Sequence, residues 1–338
     1  MENVQREGLY IQLQNYSRPY LPGETIVGQL LIVFNTPQEF KYLSVRLEGK
    51  AEVHWTRRVS RKSSIGRIHK TMHYRGVERY FLQRIKLLGD GSDFWSGSTQ
   101  KLASGSSIHP FTFTLPDNLP SSFRSMDNVA KVLYLITARL KKPYFSFDIL
   151  ATIPFQVSGL LRIYPDKELI FVLEESRIAT YCHSHCLGTG RSIRYKVQLP
   201  QRSFTPGDVI PMQVEVSSED DGHVMDASTV ASLSLKLVQH IVYRIRRHRH
   251  QASFEVCKTS LHPGKEMLGG NFLLFLAIPV HSYPTRLGGR CKLINLQYVL
   301  NFEVEMGHFS KNWKGTIPIV IGSGCGTTSA STQDFVIN

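Results

Sequence analysis

Tyr20-Leu21-Pro22-Gly23-Glu24 runs into the apolar segment Ile26 to Phe34, and Phe204-Thr205-Pro206-Gly207-Asp208 runs into Val209 to Val216. In both, an aromatic residue, Pro-Gly and a carboxylate precede a β-rich run. Proline fixes φ and glycine accepts φ > 0, so each stretch reads as a tight turn feeding a strand. The correspondence extends outward. Phe111-Thr112-Phe113-Thr114-Leu115-Pro116 is echoed by Phe272-Leu273-Leu274-Phe275-Leu276-Ala277-Ile278-Pro279, Tyr134 by Tyr298, and Ile153-Pro154-Phe155-Gln156-Val157 by Ile317-Pro318-Ile319-Val320-Ile321. These last three landmarks recur at separations of 163, 164 and 164 residues, which makes the chain a duplicated β domain.

A chain of 338 residues has room for two cores, in agreement with the repeat. With 42% apolar and 20% charged residues it reads as an ordinary globular protein rather than a disordered one. No run of eighteen apolar residues occurs, and the polar start Met1-Glu2-Asn3-Val4-Gln5-Arg6 leads into no apolar h-region, so neither a membrane span nor a signal peptide is expected. Five cysteines do not read as a disulfide framework, and a cytosolic setting is the expectation.

Strand periodicity then places the elements. Leu9 to Leu13 alternates, Ile26 to Phe34 is apolar enough to be covered on both faces, and Tyr42 to Trp55 alternates again. From Trp55 to His109 the pattern weakens into basic, Ser- and Gly-rich sequence, in which Val77 to Leu88 is the one convincing strand and Gly89 to Ser107 reads as a surface loop. Val132 to Leu140 is a long strand. The repeat resets between Val157 and Pro165, where a hinge is expected. Further strands are expected near Leu169 to Leu173, Ile193 to Leu199, Val209 to Val216, Val230 to Tyr243, Ala252 to Lys258, Phe272 to Ala277, Lys292 to Glu305 and Trp313 to Ile321. Many short strands with Gly/Pro turns and no amphipathic helix give an all-β chain of two tandem immunoglobulin-type sandwiches. The expected domains are 1–157 and 166–322, with a Gly/Ser/Thr-rich, disordered tail over 323–338.

The run Tyr20 to Gly28, the strand Val45-Arg46-Leu47-Glu48-Gly49-Lys50-Ala51 ending at Trp55, the segment Phe113 to Phe123 and the second Phe-Thr-Pro-Gly-Asp together resemble the arrestin domain-containing proteins, the alpha-arrestins. The resemblance spans both halves and implies two arrestin-like sandwiches joined by a hinge. It implies a cytosolic, non-enzymatic adaptor, peripheral to the plasma membrane or endosomes, with no cofactor. Such adaptors bind cytoplasmic parts of membrane receptors or transporters and direct their endosomal sorting or ubiquitination. Many of these proteins carry Pro-Pro-x-Tyr motifs that bind WW domains of ubiquitin ligases. Here Pro19-Tyr20 and Pro143-Tyr144 lack the preceding prolines, so a ligase is expected only indirectly. A retromer-like coat subunit is the alternative non-enzymatic reading.

The formal charge of +13 is concentrated in two places. Ten Lys/Arg stand against Glu78 alone between Trp55 and Lys86, and Arg244, Arg246, Arg247 and Arg249 supply the rest. Arg57, Arg58, Arg61, Lys62 and Lys70 of the first stretch, with Arg246 and Arg247 of the second, are the candidate anion- or membrane-facing residues. Phosphorylated tails, anionic headgroups and a merely solvated loop are the readings the residues leave open. Nucleic acid is not an expected partner, since neither interleaved aromatics nor a recognised binding motif accompanies the charge. Ser60, Ser63 and Ser64 among the arginines could be phosphorylated and cancel part of the field. Cys182, His183, His185 and Cys186 carry zinc-type ligands, but five residues cannot readily fold all four around one ion and no second pair completes the set. No nucleophile elbow, phosphate-cradling loop or paired-carboxylate motif points to a hydrolase or another enzyme.

Overall fold

The computed structural model describes residues 7–63, 66–89, 98–143, 146–163, 171–179, 191–218, 230–263, 270–306 and 312–323. The first half contains β1 (Gly8–Leu13), β2 (Thr25–Phe34), β3 (Gln38–Phe40), β4 (Tyr42–Ser63), β5 (Gly66–Leu88), β6 (Gln100–Leu102), β7 (Gly105–Thr114), β8 (Phe123–Arg124), β9 (Ala130–Lys141) and β10 (Ile149–Phe155). The second contains β11 (Phe171–Ala179), β12 (Arg191–Leu199), β13 (Ser203–Phe204), β14 (Val209–Ser218), β15 (Val230–Ile245), β16 (His248–Leu261), β17 (Asn271–Ala277), β18 (Ile294–Met306) and β19 (Trp313–Ile321). A single 3-10 turn, Thr285–Gly288, is the only helical element among the described residues.

Each half is a sandwich of two sheets, and the two sandwiches share one topology. The order β1-β2-β7 in the first corresponds to β12-β14-β17 in the second, and β10-β9-β4-β5 to β19-β18-β15-β16. Alternation builds the core: β9 buries every other residue from Ala130 to Leu140, and β18 does nearly the same from Ile294 to Met306. These faces meet Leu30, Ile32 and Phe113 in the first half, and Met212, Val214 and Leu274 in the second. The repeated tyrosines are explained by their hydroxyls. Tyr134 donates to the Pro120 carbonyl at 2.6 Å and Tyr298 to the Tyr283 carbonyl at 2.8 Å, so each large ring is buried without orphaning its polar tip.

The two Pro-Gly turns are built alike, differing by one residue in the carbonyl that the glycine amide meets. Gly23 (φ 80) and Gly207 (φ 96) both take the left-handed region. Their amides donate to Pro116 at 3.2 Å and Ile278 at 3.1 Å. The carboxylates of Glu24 and Asp208 accept from the Leu21 and Thr205 amides three residues back, at 2.9 and 2.6 Å. Tyr20 bridges to Val157 in parallel, as Phe204 does to Ile321.

Three expectations are corrected. β2 is covered on one face only: Ile26, Leu30, Ile32 and Phe34 are buried, whereas Val27 and Gln29 are exposed on the face of the three-stranded sheet that no described residue covers. The segment after Trp55 is no loop, since β4 continues to Ser63 and β5 begins at Gly66. Gly89 to Ser107 also contains strand, in β6 and the start of β7, although residues 90–97 lie outside the described residues.

Between the halves, residues 158–163 lie outside the strands and are tied down at both ends. The Gly159 amide donates to Ser121 Oγ at 2.9 Å, and Leu161 exchanges hydrogen bonds with Ser323, the first residue of the expected tail. Residues 164–170 and 324–338 lie outside the described residues.

Candidate functional site: the crossing of two basic hairpins

β4 and β5 have 22 and 23 residues, against 16 and 14 in the equivalent β15 and β16. β9 accompanies β4 only as far as Val53, opposite Ala130. Beyond it, β4 and β5 continue as a two-stranded ribbon, and ten residues at about 3.3 Å each carry it roughly 30 Å past the sheet. The apolar alternation vanishes there because neither face meets the sandwich core. Cross-strand pairs hold the register instead, with the Trp55 ring 5.3 Å from Tyr74 on one face and His54 stacked on His73 at 5.8 Å on the other.

The second domain's hairpin lies across this ribbon. Close to its turn the Tyr243 hydroxyl donates to both carboxylate oxygens of Asp127 at 3.0 Å, and burial raises the phenol's pKa. Opposite Tyr243, His250 stacks on Trp55 at 5.7 Å; two pairs nearer the turn, His248 meets Tyr74 at 4.7 Å and Ile245 packs over Gly76, where a Cβ would come within 3.0 Å of it. Asp127, Trp55, Tyr74 and Gly76 follow one another across the sheet toward its β5 edge. The hairpin therefore crosses from the β8–β9 loop over β4 to β5 and points its turn, Arg246-Arg247, past that edge.

Charge is distributed unevenly along the ribbon. Near its root Arg79 pairs with Glu48 at 3.1 Å, and Glu78, the one carboxylate of the stretch, accepts from the Lys292 and Leu293 amides at 2.8 and 3.3 Å. The acid is thus spent on the domain interface. Arg57, Arg58, Lys70, Arg75, Arg246, Arg247 and Arg249 are exposed and have no ion-pair partner among the described residues. Strand alternation divides them. Arg57 and Lys70 share the face of Trp55 and Tyr74 that meets the second domain, whereas Arg58 and Arg75 share the opposite face with His54 and His73. Arg61 and Lys62 stand opposite Ile68 and Arg67 toward the ribbon's end. The two basic stretches are brought to one crossing of equivalent hairpins, with the cations spread around it.

On the outer face, His54, Arg75, Arg124, Lys131 and Glu52 line an open cleft of about 460 Å³. Glu52 is bound by Lys50 at 2.7 Å and Lys131 at 3.0 Å, and these ammonium groups hold its carboxyl below its ordinary pKa. Arg124 is separated from His54 by seventy residues, and only the pairing of β8, β9 and β4 unites them.

The Cys182, His183, His185 and Cys186 cluster lies outside the described residues, and among the described residues no group of His, Cys, Asp and Glu is arranged to hold a metal. His109, in β7, is hydrogen-bonded to Ser107 at 3.2 Å, and burial lowers its pKa.

Residues 9–163 match the model of the arrestin (or S-antigen) N-terminal domain, and residues 189–324 that of the C-terminal domain. The chain is 25% identical over 336 residues to arrestin domain-containing protein 17 of Caenorhabditis elegans, covering 95% of this chain and 71% of that protein. It is 24% identical over 348 aligned positions to human arrestin domain-containing protein 5, covering 94% and 87%. Arrestin domain-containing protein B of Dictyostelium discoideum is 25% identical over 199 residues, 59% of this chain and 28% of its own length.

Proposed function

This chain belongs to the arrestin domain-containing, or alpha-arrestin, family, and on that premise we propose that it is an adaptor for the cytoplasmic regions of membrane receptors or transporters. It directs that cargo into endocytic and endosomal sorting or ubiquitination, and it works by binding rather than by turnover. The crossing of the two hairpins rests against the anionic cytoplasmic face of the membrane while the sandwiches hold cargo. A ubiquitin ligase joins through cargo or another protein, since the polyproline ligand of a WW domain needs prolines this sequence lacks. The domains proposed for this work are 1–157 and 166–322.

One observation carries the reading. The exposed cations of two remote stretches converge on one crossing, and the single acid that could neutralise the first is turned into the domain interface. No helix among the described residues is long and apolar enough to cross a membrane, so the proposed attachment is peripheral. Each basic residue near an anionic leaflet contributes about 1 kcal/mol, and since Arg57 and Arg58 lie on opposite faces of the ribbon, neutralising them with Arg246 and Arg247 should weaken vesicle binding about a hundredfold. The effect should shrink once added salt brings the Debye length below about 8 Å. The test compares wild type and the four-site glutamine variant, matched for thermal melting, on phosphatidylserine vesicles and on phosphorylated peptides at low and high salt. Equal vesicle binding sinks the membrane assignment, and a loss confined to phosphopeptides moves the site to a cargo tail.

A further inference from the structure

Adjacent basic side chains occur four times in the chain, at Arg57-Arg58, Arg61-Lys62, Lys141-Lys142 and Arg246-Arg247. Only the first two are followed, two residues after the pair, by a serine or threonine: Ser60 and Ser64. Ser64 lies outside the described residues, whereas Ser60 is exposed, with Arg57 and Arg58 exposed ahead of it.

Three features make Ser60 accessible to a modifying enzyme. It sits in β4 opposite His69, beyond Val53, where the last strand of the sheet proper leaves β4. The backbone is therefore already extended, and only one neighbouring strand has to be displaced. Beyond the crossing the ribbon has two strands and exposed side chains, which is marginal alone, so it opens locally at small cost compared with a sandwich strand. The two arginines also present planar, bidentate donors to any acidic substrate groove.

We propose that Ser60 is a phosphorylation site for a serine/threonine kinase that selects paired arginines, and that the modification releases the crossing from its anionic partner. The reaction is ordinary phosphoryl transfer. Ser60 Oγ attacks the γ-phosphorus of ATP, the bond to the β-phosphate oxygen breaks, ADP leaves, and the hydroxyl proton passes to the kinase's base. The new group carries about −1.5 to −2 charges at neutral pH. By strand alternation it falls on the Arg58 face, two residues from that guanidinium and opposite His69. The phosphate gives the neighbouring guanidinium an anionic acceptor and cancels part of the local positive field.

The release rests on the membrane reading above, whereas the modification itself does not. The full chain, Ser60→Ala and Ser64→Ala are incubated with ATP and the catalytic subunit of the cyclic-AMP-dependent kinase, and phosphate is mapped by mass spectrometry. Near-stoichiometric incorporation at Ser60, lost at least tenfold in Ser60→Ala and kept in Ser64→Ala, is expected. Phosphate only at Ser64, or none on the ribbon, overturns the site. Phosphorylated and unmodified protein are then compared on phosphatidylserine vesicles, with about thirtyfold weaker binding expected after modification. Vesicle binding that ignores the phosphate overturns the release, while unmodified protein that does not bind vesicles overturns the membrane reading and leaves the site standing.

Discussion

The Trp55 indole of the first domain lies nearly parallel to the His250 imidazole of the second, with centroids 5.7 Å apart and planes 20° from each other. Trp55 is only 6% exposed although it stands where β4 leaves the sandwich, so what covers it is the other domain's hairpin and its cross-strand partner Tyr74. The contact couples the position of one basic stretch to that of the other. Trp55→Ala should cost about 3–5 kcal/mol, and His250→Ala on the order of 1 kcal/mol. A double-mutant cycle by denaturant unfolding should return a coupling of about 0.5–1.5 kcal/mol. Strict additivity would mean that the rings touch without stabilising the crossing.

Gly23 and Gly207 give a paired test of the duplication. Both sit at positive φ, and at Gly23 a Cβ would also come 2.7 Å from Asp117 Oδ1, whereas at Gly207 its nearest neighbour is Val280 Cγ1 at 3.5 Å. Gly207→Ala should therefore lose about 1 kcal/mol from backbone strain, and Gly23→Ala at least as much, since the exposed Asp117 carboxylate must also turn aside. Thermal melts that rank the two variants the other way would contradict this account of the turns.

Asp148 should make stability depend on acid pH. Burial alone would raise its pKa, but the Arg139 guanidinium, the Lys142 amide at 3.1 Å and the Lys141 ammonium outweigh burial and hold it below the usual 3.8. A depressed folded value means that the stabilisation is complete above the unfolded pKa and disappears as pH falls through the folded one. Asp148→Asn should cost about 1–3 kcal/mol at pH 7. The gap in melting temperature between variant and wild type should close as pH drops below about 4. A gap independent of pH would assign the loss to packing.

The duplication was legible because its signals are local: Pro-Gly fixes a turn within five residues, and β9 and β18 alternate where each has one buried face. The same rule failed for the ribbon. Trp55, Arg57 and Val59 alternate with Thr56, Arg58 and Ser60, but a strand announces itself by hydrophobic period only when one face meets a core, and here the covering surface is a different domain. β2 failed in the opposite sense, because apolar Val27 looks buried in sequence and is exposed in the sheet. Of the candidate cations, the local charge surplus was readable. Their meeting at one crossing depends on contacts such as Tyr74 with His248, across more than 170 residues. The Arg75 and Arg124 cleft left no signal, since strand pairing alone assembles it.

The interdomain seam offers the last test. A Cβ on Gly159 would stand 2.5 Å from the Leu287 carbonyl oxygen and 2.8 Å from both the Leu119 oxygen and the Ser121 nitrogen, so the linker passes where only hydrogen fits. Ser121 is in turn bonded to Leu287 at 2.7 Å, which joins the Leu119-Pro120-Ser121 segment of the first domain to the 3-10 turn of the second through this same point. Gly159→Val must push backbone from backbone, at a cost of about 1–3 kcal/mol. Cys291 reports on the result. It lies beside Tyr80 of the first domain, and burial raises its thiol pKa, so it should react slowly while the domains are closed. Cys257, in β16 away from the seam, has a pKa raised by burial within its own sandwich and serves as the internal control. Site-resolved alkylation should show Cys291 labelled at least tenfold faster in Gly159→Val while Cys257 keeps its wild-type rate. If both rates rise together, the substitution loosens the second sandwich as a whole. If neither rises, the seam does not depend on the close approach at Gly159.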